Sequence, residues 1–138
     1  MRVIIIVVLL VFISCKKTTE DTPKTFELYQ YSEMALYMHS IYDMHQEIKE
    51  SIQTGEQLPA LELDLDQLYS AEMSDRFVRN ESFEGFSRLY LQQVSFIYDT
   101  LSEVSVKERY NNAVHACIAC HQTTCLGPIP KIKKLLIH

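Results

Sequence analysis

Residues 31–52 read YSEMALYMHSIYDMHQEIKESI. Tyr31, Met34, Met38, Ile41, Ile48 and Ile52 recur in steps of three and four, and His45 fills the one gap. That period winds the apolar side chains onto one face of a helix and leaves the Glu and Lys residues on the others. The segment reaches back to Thr25 and stops at Gly55 and Pro59, residue types that end helices. A helix over 25–54 is long for an average globular protein and ordinary for a bundle.

The same period returns downstream. Phe83, Phe86, Tyr90, Val94, Ile97 and Leu101 step by three and four behind Asn80, a good N-cap. Ser105 followed by Glu108 is a capping-box pattern. It opens another helix with Val106, Tyr110, Ala113, Val114 and Cys117 on one side, stopped by Gly127, Pro128 and Pro130. In 61–69, Leu61, Leu63 and Leu65 alternate with Glu62, Asp64 and Asp66, which suits a strand. Leu61, Leu65, Leu68 and Tyr69 also share a helical face, and no partner strand is evident, so a short helix is expected. Residues 70–79 read as a polar loop, and Leu135, Leu136 and Ile137 as a cover for one end of the core. The fold class expected is all-α, an antiparallel four-helix bundle.

At 138 residues there is room for one domain. Hydrophobic residues make 47% with only 3 Gly and 4 Pro, which excludes a low-complexity or wholly disordered chain. Acidic residues number 18 against 13 basic, a net charge of −5. That balance lacks the basic face of nucleic-acid binders, so no nucleic-acid partner is expected.

The N-terminus reads as an address. Arg2 precedes an apolar run from Val3 to Ile13, too short to span a bilayer as an ordinary helix and suited to a signal peptide over 1–14. Cys15 after Ser14 resembles a bacterial lipoprotein signal, although Phe12 stands where Leu is usual. The resemblance implies cleavage before Cys15, lipidation of its thiol, and attachment to a bacterial membrane on the periplasmic side of the cell envelope. A plain signal peptide cut elsewhere and a short membrane anchor are the other readings. Residues 15–24 are polar and aperiodic, a flexible tether to a domain over 25–138.

The chemistry lies in Cys117-Ile118-Ala119-Cys120-His121, a CxxCH motif. With 4 Cys and 5 His in the chain, chance supplies about 0.004 such matches. Two thiols three residues apart on a helix can add to the two vinyl groups of one haem, and the next His projects its imidazole onto the iron. Two other readings compete. A redox CxxC of thioredoxin type usually opens a helix after a strand, whereas this one closes a helix. A zinc-binding structural lipoprotein would use Cys117, Cys120, His121 and Cys125, though structural zinc usually links segments further apart.

Residues 110–121, YNNAVHACIACH, preceded by three amphipathic segments, resemble the cytochrome c-prime family, the class II c-type cytochromes. The likeness in motif is confined to this helix, and the likeness in bundle covers roughly 25–124. It implies one covalent haem c held through Cys117 and Cys120, with His121 as proximal iron ligand, between helices near one end of the bundle. Members carry electrons between redox partner proteins when the iron is six-coordinate, and bind NO or CO when it is five-coordinate. Many dimerise, so a homodimer is a further expectation. Cys125 stands where the family often has a basic residue, and the second helix is short for a regular bundle.

The family places the distal side on the first helix, and there Met38 is the first choice as a sixth ligand and Met34 the second; the other reading is that both line an apolar pocket and leave the iron five-coordinate. His39 sits beside the apolar seam. His45 is expected in the core, hydrogen-bonded to a neighbour, and His115 in solvent. Phe86, Tyr90 and Tyr110 are placed to pack a haem edge or simply the core. Cys125 is left without an intramolecular partner. No paired carboxylates and no nucleophile beside a base appear, so the chain is not expected to be an enzyme.

Overall fold

The computed structural model describes residues 30–138. The signal sequence, Cys15, the tether and the expected helix start at Thr25 lie outside the described residues. The described chain is all-helical, with no strand among those residues. Three long helices, α1 (Glu33–Thr54), α3 (Glu81–Ile97) and α4 (Val106–Thr124), are accompanied by two single helical turns, α2 (Gln67–Ser70) between α1 and α3 and α5 (Ile129–Ile132) after α4. A short 3-10 turn, Lys133–Leu135, follows α5.

Each long helix starts where its cap residue dictates. Ser32 accepts from the Ala35 N–H, Asn80 from that of Phe83 and Ser105 from that of Glu108, at 3.2, 2.9 and 3.2 Å. These bonds satisfy amide groups that have no partner inside the helix. Helix α1 ends at Gly55, whose φ of 75° only glycine adopts without strain and whose N–H returns to the Ser51 carbonyl. Tyr31 therefore precedes the helix and is exposed, and the inner face also takes Tyr37, whose hydroxyl donates to the Asp64 carbonyl at 2.9 Å.

The region 61–69 supplies only one helical turn. Leu63 and Leu65 pack partly against the core while Glu62, Asp64 and Asp66 stay exposed. An alternating pattern satisfies one buried face in an extended chain, and aspartates give a helix little support. Leu101, expected on the inner stripe of α3, lies beyond the helix and is 92% exposed. The helix stops at Tyr98 before the stripe reaches it.

The most extensive packing is between α3 and α4. The two run antiparallel, since the start of α4 meets the end of α3 through Arg109. That buried guanidinium donates to the carbonyls of Phe96 at 2.7 Å, Ile97 at 2.8 Å and Asp99. It caps carbonyls that α3 cannot satisfy internally. Arg109→Met is expected to lower unfolding free energy by about 2–3 kcal/mol, because the bonds are charge-assisted and the carbonyls are left partly buried. Urea melts would check this, and an unchanged midpoint would remove Arg109 from the account.

Helix α1 lies antiparallel to α4. His45 meets Tyr110 near the start of α4, with ring centres 5.5 Å apart, while Met38 lines a cavity with Cys120 and His121 near its end. The C-terminal segment closes this side: Leu135 and Ile137 are buried, and Lys49 donates to the carbonyls of Lys134 and Leu136 at 2.8 and 3.2 Å.

Candidate functional site

Positions 117, 120 and 121 fall on one face of α4 because residues three and four apart are neighbours on a helix. Cys117, Cys120 and His121 are all half-buried and line one cleft of about 480 Å³. That volume lies within the roughly 300–1,000 Å³ of small-molecule and cofactor sites. Helix α1 contributes Met34, Met38 and Tyr42 to the cleft, and the segment around α5 contributes Pro128, Lys131 and Ile132. A smaller hollow of about 40 Å³ beside the same two thiols is lined by Leu68, Phe86, Ser87 and Tyr90.

The orientation of His121 has a specific cause. Its Nδ1 lies 2.9 Å from the Cys125 carbonyl oxygen. A carbonyl only accepts, so Nδ1 carries the proton and donates, and Nε2 is left with a free lone pair. The Cys125 N–H returns to the His121 carbonyl at 3.0 Å, which locks the two residues together through the backbone. Metal-binding histidines usually carry such a bond on the nitrogen that does not bind, which fixes both tautomer and ring direction. Both bonds are made by the Cys125 backbone, so they do not depend on its side chain.

Burial pushes the Cys117 thiol up to about 12, and the neighbouring Cys120 adds to the shift. Burial raises Cys120 as well, against an opposing hydrogen bond from Thr124. Both are neutral thiols at physiological pH, unlike the low-pKa cysteine of a redox CxxC pair. Among the described residues, no group of three or more His, Cys, Asp or Glu is gathered around a metal-sized point. The residues present suit a haem, which asks the protein for two thiols, one imidazole nitrogen with a free lone pair, and an apolar slot.

Met38 is half-buried and lines both cavities, and Met34 lines the cleft from deeper in the core. His39 is exposed at the cleft, with its ring edge-on to Tyr31 at 5.3 Å. His115 and His138 face solvent. His45 is fully buried, with Nε2 3.1 Å from the Tyr90 hydroxyl and, among the described residues, no partner for Nδ1. Tyr110 lines neither cavity; its hydroxyl donates to the carbonyls of His45 and Leu135 at 3.0 and 3.2 Å. Phe86 and Tyr90 reach the hollow beside the thiols, while Tyr110 belongs to the core.

Sequence patterning missed one wall of the cleft. Met73, Arg76 and Phe77, in what reads as a polar loop, all line it. The loop is pinned to the start of α1: the Met34 N–H donates to the Glu72 carbonyl at 2.9 Å and the Glu72 N–H to Glu33 Oε2 at 2.9 Å. Ser32 and Ser74 share a hydroxyl bond at 2.9 Å. A methionine and a phenylalanine within four polar neighbours were the available signal.

No family model, no curated protein and no solved structure matches this chain.

Proposed function

We propose that this protein is a monohaem c-type cytochrome of the c-prime kind that carries single electrons between redox partner proteins. The observation that carries the reading is the His121 Nδ1 bond to the Cys125 carbonyl, which leaves Nε2 free beside two thiols in a haem-sized cleft. On this reading the helices form a c-prime-like antiparallel bundle, with α2 and the chain before it standing in for the second long helix. The haem attaches at the end of α4, the last long helix. Lipidation at Cys15 tethers the domain to a bacterial membrane, facing the periplasm; acyl chains on one residue hold a domain there without a spanning helix.

When bound, the haem supplies a one-electron Fe(III)/Fe(II) couple. Cys117 and Cys120 would hold it through thioether bonds, so its retention would not depend on affinity. The Cys125 carbonyl polarises His121 and makes its Nε2 a stronger donor. Met34, Ile41 and Phe83 keep water from the centre of the cleft. Met38 is the side chain we assign as the second protein ligand; its thioether sulfur would raise the potential of a bound haem and suit electron transfer.

The test is a ferrous absorption spectrum with and without CO, on full-length protein from a host that attaches c-type haem. The wild-type spectrum is expected to stay unchanged by CO, while that of Met38→Ala shifts at once. A wild-type spectrum that shifts readily would replace electron transfer by gas binding at an open iron. Protein without haem would sink the proposal and turn attention to zinc analysis.

A further inference from the structure

The cleft inverts the charge of the chain around it. In a protein with 18 acidic and 13 basic residues, its lining includes Arg76 and Lys131 but, among the described residues, no Asp or Glu. Neither cation belongs to an ion pair among those residues. Each head is laid instead on an aromatic ring that also lines the cleft. The Arg76 guanidinium carbon lies 4.9 Å from the centre of the Phe77 ring, and Lys131 Nζ lies 4.1 Å from that of Tyr42. An aromatic face positions a cation without neutralising it, so both charges remain available to an anion. Arg76 sits on the loop pinned to the start of α1, and Lys131 on α5, so the two belong to different walls. Much of the remaining lining is apolar, from Met34, Met73 and Phe83 to Ile132.

A largely apolar cleft with two cations and, among the described residues, no acid fits a flat apolar ligand with carboxylates along one edge. Resting on the haem reading above, we infer that Arg76 and Lys131 hold the two haem propionates. The planar guanidinium matches a carboxylate with two parallel hydrogen bonds, while the ammonium acts as a point charge. The otherwise unremarkable polar loop thereby becomes a part of the cofactor site.

Both side chains are exposed, so glutamine at each position removes charge without opening the core. The haem-loaded full-length protein and its Arg76→Gln/Lys131→Gln variant would be compared by reduction potential across pH, with covalent haem measured after denaturation. Removing the cations is expected to lower the potential and to move the propionate-linked step upward by about 1–3 pH units. The Arg76→Lys/Lys131→Arg exchange is expected to restore the wild-type profile. A double variant that keeps its haem with an unchanged pH profile would overturn the clamp and leave the cytochrome reading standing. Wild-type protein without covalent haem would overturn both.

Discussion

Replacing Cys117 and Cys120 together by alanine is expected to take covalently held haem from one per chain to none. Haem that survives denaturation, read as a stained band on a gel or from its absorption in unfolding solvent, is the measurement. Each single replacement leaves one thioether, so a reduced but detectable signal is expected. Both thiols and His121 fall on one face of α4 and line one cleft. The surrounding helix is closed by ordinary capping and carries its core on Tyr110, Ala113, Val114 and Ile118, so alanine at two half-buried positions leaves the fold in place. Helical circular dichroism retained without haem is the expected companion result. Haem still bound covalently to the double variant would sink the assignment.

The second large effect is on stability against acid. Burial pushes His45 from its ordinary 6.5 to about 4, and nothing near it favours the charged form. In the unfolded chain His45 takes up its proton near pH 6.5, while the folded chain resists until about pH 4. The folded state is therefore fully favoured by this group above pH 6.5. The benefit is lost as pH falls from there through about 4, and it totals about 3 kcal/mol. His45→Gln removes the titration. Wild type minus variant, followed in urea melts across that pH window, is expected to fall by this amount on acidification. A difference independent of pH would show that His45 is protonated equally in both states. The unpartnered Nδ1 adds to the reason for neutrality, since a second proton would be buried without an acceptor.

Much of the architecture was legible in the sequence because helices announce themselves locally. Ser105 and Asn80 cap where their side-chain chemistry says they should, and Gly55 stops α1 because it alone tolerates a positive φ. The apolar steps through Met34, Ile41, His45 and Ile48 and through Phe83, Tyr90, Val94 and Ile97 mark the buried faces correctly. The stripe failed at Leu101 and Tyr31, where the helix ended before the pattern did. Between residues 61 and 69 the expected short helix forms only as the turn Gln67–Ser70: a nine-residue stretch with two compatible periods has no local winner, and the extended part before it is held by the Tyr37 hydroxyl on the Asp64 carbonyl.

The site divides in the same way. The CxxCH spacing is a property of the chain, since three positions on one helix face meet whatever the rest of the fold does. His45 as a core histidine was readable from its place in the stripe. What surrounds the motif was not. The Cys125 carbonyl on His121 Nδ1 depends on how the chain leaves α4, and backbone groups leave no residue type behind to be read. Met73, Arg76 and Phe77 come to the cleft because Ser32, Glu33 and Met34 hold their loop across some forty residues of sequence. Lys131 arrives from the other side on a single helical turn. The helices and the grouping of three chemical side chains on α4 follow from the chain alone, because both are written in periods of three and four. Which distant side chains form the cleft, and what charge it carries, follows from folding, because contacts between segments are made by packing rather than by spacing.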